Sequence, residues 1–356
     1  MNRRFMIASG GTGGHFYPGF ALGKQLRKQG FPVLFIVRKN DPAAQILEDN
    51  KLHYKEIDFM GLPRSVNPVR QLKFIGKFFK ALRQTRRLVR EFRPDVAVGT
   101  GGYISFPLIF VAHFCGVKTA VHDSNARLGL ANKICGKFAD LFMLGLPIDK
   151  PMKNTVITST PIRPEFGTEQ NRMSILQGLG LNPAKKTLLV VGGSQGARGL
   201  NNAVVQAAKQ LADWQFIHIT GQRWYAELQS AYEGLPHVKA LAYSHEIYAL
   251  MQAVDAAVCR SGASTLAELI YCRLPAVLVP FPHAAADHQY YNAKILEDVG
   301  AAVVIREKDS LQEELIHTLR GFSDEKLASM RTAYDQLKLP NPLSASQDIV
   351  KLLCQL

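Results

Sequence analysis

The chain has no apolar run long enough to cross a bilayer. The longest, Ile104 to Cys115, covers about 12 of the roughly 20 residues a crossing needs and contains His113. No export signal is expected, because the apolar piece after Arg3 and Arg4 is too short. Cysteine is scarce. Cys115, Cys135, Cys259, Cys272 and Cys354 are odd in number and scattered, with no CxxC pair, which argues against a disulfide framework or zinc site and for a reducing compartment. Charged residues make up 20% against 47% hydrophobic, excluding a disordered or fibrous chain. The familiar nucleotide signatures are missing too. There is no GK[ST], hence no P-loop, and GxGxxG is not met because Phe16 stands at the third glycine position. Arg38 and Lys39, rather than an acid, close the next strand. No DxD occurs, which removes the usual means of holding a metal against a nucleotide diphosphate; neither metal nor cofactor is expected.

What is present suits two domains of ordinary size in 356 residues. The net charge of +14 is one-sided: residues 1–160 hold 25 basic and 10 acidic side chains, and residues 161–356 hold 18 and 19. One domain therefore faces an anionic surface or substrate. Short β-rich runs (Arg4–Ala8, Pro32–Val37, Asp95–Gly99, Thr119–His122) alternate with amphipathic stretches, which implies βαβ units and a parallel sheet. The pattern restarts at Thr187–Val191 and continues through Phe216–Thr220, Ala256–Cys259 and Ala276–Val279. The fold class is α/β, with two Rossmann-like domains in tandem. Pro147, Pro151, Pro161 and Pro164 mark a candidate linker. The boundaries are set at 1–160, 161–340, and a final helix at 341–356 that is expected to pack back on the N-terminal domain. Ligands of such sheets bind at the carboxyl ends of the strands, here in a cleft between the domains.

Three segments carry chemistry. Ser9-Gly10-Gly11-Thr12-Gly13-Gly14-His15 follows a strand and opens a helix, so backbone N–H groups and the helix N-terminus can meet an anion; a tight turn that binds nothing is the alternative. His15 has a pKa range suited to taking a proton at neutral pH, or else caps or packs the helix. Cys259-Arg-Ser-Gly-Ala263 leads into a helix on which Ser264 and Thr265 offer phosphate donors and Glu268 a two-oxygen acceptor for ribose hydroxyls; a capping box built from the same residues is the other reading. Gln289 and Asn292 share one helix face and suit sugar hydroxyls, or form an ordinary polar helix start.

Residues 59–90 hold nine Lys/Arg and no acid. On a helical wheel Phe74, Ile75, Phe78, Phe79 and Leu82 gather on one side, and Lys73, Lys77, Lys80 and Arg87 on the other. An apolar face rimmed by cations lies on an anionic membrane, and peripheral, salt-sensitive binding is expected. A core-packed helix is the competing reading. Nucleic acid is not expected, because the phenylalanines do not alternate with the cations as stacking platforms would.

In series, Gly10–His15, Gly99-Thr-Gly-Gly-Tyr103, Val191-Gly-Gly-Ser-Gln-Gly-Ala197, Cys259–Ala263 and Gln289–Asn292 resemble, over essentially the whole chain, the MurG family. These are the UDP-N-acetylglucosamine transferases that build the lipid-linked precursor of peptidoglycan. The resemblance implies a GT-B fold of two Rossmann-like domains facing each other across a cleft. It implies an inverting hexosyltransferase that moves GlcNAc from UDP-GlcNAc to the C4 hydroxyl of MurNAc in undecaprenyl-pyrophosphoryl-MurNAc-pentapeptide (lipid I), giving lipid II. The N-terminal domain would take acceptor and membrane, the C-terminal one UDP-GlcNAc, at the cytoplasmic face of the cell membrane alongside other cell-wall synthesis proteins. Carried over, Thr12, Gly13, Gly14, Asn125, Arg163, Ser194, Ser244, Ala263, Ser264, Thr265, Leu266, Ala267, Glu268 and Gln289 bind donor, with Asn292 as an additional sugar contact. His15 is the candidate base and Asp123 the runner-up. The family's His-Glu-Gln-Asn is here His122-Asp123-Ser124-Asn125, and its Gly-Asn-Pro-Val-Arg is Ser159-Thr-Pro-Ile-Arg163. Readings from other classes are another GT-B nucleotide-sugar enzyme, such as an epimerase or a diacylglycerol glucosyltransferase, and a non-catalytic basic module.

Overall fold

The computed structural model describes residues 3–356 apart from 12, 60, 62–66, 194 and 195, and apart from the side chains of 68–70. It divides into one unit of Met1–Ile162 with Leu339–Leu356 and a second of Arg163–Lys338.

The first unit is built on seven parallel strands: β1 (Phe5–Ala8), β2 (Val33–Arg38), β3 (Tyr54–Ile57), β4 (Val96–Gly99), β5 (Lys118–Asp123), β6 (Leu141–Leu144) and β7 (Thr155–Ile157). Their order is β3-β2-β1-β4-β5-β6-β7. Helices α1 (Gly13–Lys28), α2 (Ala43–Asp49), α3 (Pro68–Phe92), α4 (Ser105–Phe114) and α5 (Leu130–Cys135) connect them. The pleat sends alternate residues to opposite faces. Phe5 and Ile7 of β1 join Leu22 and Leu26 of α1, while Met6 and Ala8 join Ala81 and Val89 of α3 and Leu108 of α4. Covered on both faces, the central strands read as unbroken apolar runs. The proline-marked segment Pro147 to Pro164 holds the passage between the units, at Ile162–Arg163, but its first part is structured. β7 runs through it, with Phe142 opposite Thr155 and Leu144 opposite Ile157.

The second unit repeats the plan with β8 (Thr187–Val191), β9 (Gln215–Ile219), β10 (Val238–Leu241), β11 (Ala256–Cys259), β12 (Ala276–Leu278) and β13 (Ala302–Val304), in the order β10-β9-β8-β11-β12-β13. Its helices are α6 (Arg172–Gly178), α7 (Arg198–Gln210), α8 (Tyr225–Ala231), α9 (Ile247–Ala253), α10 (Ala263–Cys272), α11 (His288–Asp298), α12 (Leu311–Arg320) and α13 (Asp324–Ala333). The chain then returns to the first unit as α14 (Ala345–Gln355), which lies against α1 and buries Ile349, Val350 and Leu353 in the core of that unit. In each sheet the strand order reverses once, between β1 and β4 and between β8 and β11. Open α/β sheets bind ligands at that switch point, outside the carboxyl ends of the strands. The glycine turns sit at these two places.

Candidate active site

In the first unit β1 ends in Gly10 and Gly11, whose φ values of 151° and 89° favour glycine. The turn is held from below. Gly11 N–H donates to Asp41 Oδ2 at 2.9 Å, and the other oxygen of this buried carboxylate accepts from Ala43 N–H at 3.1 Å. α1 starts at Gly13 with no acid in its first turn, so the positive end of its dipole is uncompensated. Thr100 Oγ1 donates to the His15 carbonyl at 2.9 Å, and Ser9 Oγ to the Phe16 carbonyl at 3.1 Å, which fixes that turn. The partly exposed His15 ring lies against Gly101 and Gly102, so closely that a Cβ on Gly101 would overlap it. Next along the sheet edge, His122 is buried with Nε2 3.2 Å from the Ser159 carbonyl. Burial pulls its pKa below the ordinary histidine value, so the imidazole is neutral at pH 7.

The runner-up base is corrected. Asp123 is only 1% exposed and both oxygens are engaged, Oδ1 by Asn125 N–H (3.0 Å) and Nδ2–H (3.2 Å), Oδ2 by Asn132 Nδ2–H (2.9 Å) and Gly129 N–H (3.4 Å). Such a carboxylate organises the β5–α5 turn and positions Asn125.

In the second unit the loop after β8 leads through Gly196 into α7. Beneath it runs a buried chain, with Asn201 Oδ1 3.1 Å from His218 Nε2 and His218 Nδ1 2.6 Å from the Tyr232 hydroxyl. Burial lowers the His218 pKa to about 3, keeping it uncharged. After β11, Arg260 donates to the Val279 carbonyl at 3.0 Å and pairs with Glu307 at 2.5 Å. Gly262 caps α10 with no side-chain hydrogen bond, so the capping-box alternative fails and the first N–H groups, at Ala263, Ser264 and Thr265, remain for an anion. α7, like α10, has no acid in its first turn. Glu268 is partly buried, and burial lifts its carboxyl pKa to about 7 against the opposing pull of Arg163. Arg163 donates to the His245 carbonyl at 2.9 Å, which places it beside Ser244, and Ser244 Oγ accepts from Glu246 N–H. Gln289 Oε1 accepts from Phe281 N–H at 2.9 Å and its main-chain carbonyl from Ser261 Oγ at 2.8 Å. Among the described residues no three His, Cys, Asp or Glu side chains gather as metal ligands would.

Other expectations change. Leu266 and Ala267 bury their side chains, and Leu266 N–H is bonded to the Gly262 carbonyl. Asn292 is fully buried and donates to the Ser261 carbonyl at 3.1 Å, bracing the turn rather than meeting a sugar. Thr12 and Ser194 lie outside the described residues. On α3, Phe78 and Leu82 pack inward beside Ala81 and Val89, and Phe78 stacks on Phe106. Phe74 is half-buried against Phe78, and Lys77 and Lys80 pair with Asp58 at 2.9 and 3.5 Å. The exposed apolar stripe is Leu72, Ile75 and Phe79, at 73, 50 and 61%, with Lys73 exposed nearby. Sequence reasoning had not singled out Asp41, Asn132, Asn201, His218 and Glu307. No local motif marks them, since each is brought to its partner by the fold.

Residues 5–143 match the glycosyltransferase family 28 N-terminal domain and residues 187–351 the C-terminal domain of that family. The chain is 50% identical over 353 residues, 98% of either chain, to the UDP-N-acetylglucosamine--N-acetylmuramyl-(pentapeptide) pyrophosphoryl-undecaprenol N-acetylglucosamine transferase of Elusimicrobium minutum. The enzyme of that name in Desulfitobacterium hafniense is 35% identical over 96% of both chains. The chain belongs to the MurG family. Acinetobacter baumannii MurG superposes with a TM-score of 0.82 at 27% identity, covering 99% of this chain and 100% of that one. The calicheamicin glycosyltransferase CalG4, at 15% identity and a TM-score of 0.69 over 100% and 99% of the chains, shares the fold. The two parallel sheets with their helices are those of the GT-B fold, and this MurG-family chain is a glycosyltransferase.

Proposed function

We propose that the chain is an inverting transferase that moves GlcNAc from UDP-GlcNAc to the C4 hydroxyl of a lipid-linked N-acetylmuramyl-pentapeptide diphosphate, in peptidoglycan synthesis. Full-length kinship with N-acetylglucosamine transferases of that specificity carries the reading. The second unit takes the donor: Glu268 accepts the ribose hydroxyls, the α10 N-terminus meets the diphosphate, Gln289 offers its Nε2–H to the sugar, and Arg163 and Ser244 flank the base. The first unit takes the acceptor, with its diphosphate at the Gly10–Gly14 turn. His15 is the base that accepts the C4 hydroxyl proton while UDP leaves in a single displacement, its charge met by helix starts. A direct assay tests this. UDP-GlcNAc should stabilise the protein against heat and be consumed with lipid I, whereas UDP-glucose, UDP-GalNAc and NADH should do neither. Equal stabilisation by all four would sink the donor assignment.

The acceptor's polyprenyl chain lies in a membrane, and Leu72, Ile75 and Phe79, with the exposed Arg83 and Arg86 on the same side of α3, form a surface that suits peripheral binding there, at the cytoplasmic face. No described helix is long and apolar enough to cross a bilayer.

A further inference from the structure

Arg38 and Lys39 take no part in the scheme above. They close β2, and with Asn40, Asp58, Phe59 and Lys77 they line a cavity of about 380 Å³ at the carboxyl ends of β2 and β3. Asp58, the one carboxylate among its described lining residues, with Glu56 beneath at Asn40, is held below the usual carboxylate range by its hydrogen bond to Lys77 and is also paired with Lys80. Among the described residues no carboxylate pairs with Arg38 or Lys39, so the cavity has cationic groups in excess. Its floor is fixed. Lys39 N–H donates to the Ile57 carbonyl at 3.0 Å, and Asn40 N–H, at a φ of 59°, to Glu56 Oε1 at 3.1 Å. One residue further, Asp41 holds Gly11, so cavity and glycine turn share a rigid wall.

We infer that this cavity receives the carboxylate-bearing peptide stem of the acceptor, an inference that rests on the transferase reading proposed above. Reach permits it. β3 lies two strands from β1, or ~10 Å at the usual strand spacing. A stem of five residues attached to a sugar whose diphosphate sits at Gly10–Gly14 extends up to ~17 Å. A pentapeptide ends in a carboxylate, and a guanidinium with a nearby ammonium is its natural partner. A phospholipid headgroup is the other anion to weigh. Lys77, however, lies on the side of α3 opposite the Leu72, Ile75 and Phe79 stripe, about 160° away at 100° per residue, so the cavity does not belong to the face that suits a membrane.

The test uses the whole protein and two water-soluble acceptors on a short prenyl diphosphate, one bearing the pentapeptide and one with the lactyl carboxyl capped as an amide. For Arg38→Glu/Lys39→Glu, the KM for the pentapeptide acceptor should rise about tenfold or more, as loss of a charge-assisted contact implies. The KM for the capped acceptor should change less than about twofold. The milder Arg38→Gln/Lys39→Gln should show the same selectivity at smaller size, which guards against misfolding of the reversal. Equal effects on both acceptors, or none on either, overturn the inference. So does a loss confined to co-sedimentation with phosphatidylglycerol vesicles, which would assign the cavity to a lipid headgroup. A wild-type protein inert toward both acceptors would overturn the transferase reading, and this inference with it.

Discussion

His15 owes its position to what Gly101 lacks. The imidazole rests where a Cβ would be, at a backbone φ of 106°, so Gly101→Ala should displace the ring without touching any donor-binding group. His15→Ala should lower turnover by ~10²–10⁴-fold, and Gly101→Ala by a comparable factor, while UDP-GlcNAc affinity persists in both. Steady-state kinetics with separate donor titration checks this; a loss under about tenfold in His15→Ala would move the base elsewhere. Glu268 gives a prediction of opposite kind. Its carboxyl has a pKa of about 7 in the ligand-free protein, and ribose hydroxyls donating into it favour the ionised form. Donor affinity should therefore fall as pH drops below 7, by about tenfold per unit, and Glu268→Gln should remove that dependence while weakening binding throughout. The sign for stability is the reverse of the usual carboxylate. A folded pKa raised from 4.5 to about 7 means the native state holds the extra proton, so stability from this group declines as pH rises through that window. Thermal unfolding of wild type against Glu268→Gln across the window reads it directly. At this scale the sequence was informative where placement is local, as in the glycine turns, His15 in the first turn of α1 and Glu268 on α10. It was uninformative where a partner arrives through the fold: nothing near Gly11 announces Asp41, 30 residues on, and nothing near Asp123 reveals that Asn132 has claimed its second oxygen.

Among the elements, α3 shows why periodicity alone assigned Phe78 and Leu82 to the outer face together with Ile75 and Phe79, which do lie there. Its apolar positions cover more than one stripe, and a helical wheel cannot say which of two stripes finds a sheet. The core took Phe78, Ala81, Leu82 and Val89, leaving Leu72, Ile75 and Phe79 outside. Two variants separate these roles. Leu72→Ser/Ile75→Ser/Phe79→Ser should leave the melting temperature nearly unchanged and abolish binding to anionic vesicles at low salt, which co-sedimentation measures. Phe78→Ala should do the converse, costing roughly 2–4 kcal/mol in denaturant unfolding because a ring stacked on Phe106 is removed. The strands divide in the same way. The central β1, β2, β4, β8, β11 and β12 are largely continuous apolar runs that stand out in the sequence, and β5 and β9, though buried, carry polar residues such as His122 and His218. The edge strands β3, β7, β10 and β13 are three or four residues long and only partly buried, so no long apolar run marks them, and β7 lay among the prolines read as a linker. Leu141–Leu144, the interior β6, is four apolar residues long, and by pattern such a run is equally a piece of buried helix.

At the scale of the whole molecule the two units are unequal in how the chain makes them. Arg163–Lys338 is one continuous segment, whereas the first unit needs residues from both ends of the chain. α14 is part of the core of that unit: Ile349, Val350 and Leu353 are buried with Leu22 and Leu26 of α1 and Phe5 of β1. Ending the chain at Ser344 would strip three large aliphatic side chains from that core and expose the α1 face they cover, at a cost of several kcal/mol by ~25 cal/mol per Å² of apolar surface. That is a large part of the ~5–15 kcal/mol that holds an ordinary domain together. The second unit keeps its own core, centred on Leu200, Val204, Phe216 and Leu315, and loses nothing. The truncated protein should therefore melt in two steps, an early one that UDP-GlcNAc does not move and a later one that it raises. The isolated segment 163–338 should fold and show the later step alone. Calorimetry with and without the nucleotide sugar decides the matter: a single cooperative transition in the truncated chain, shifted as a whole by UDP-GlcNAc, would mean that the two cores fold as one and that donor binding is not the property of the second unit alone.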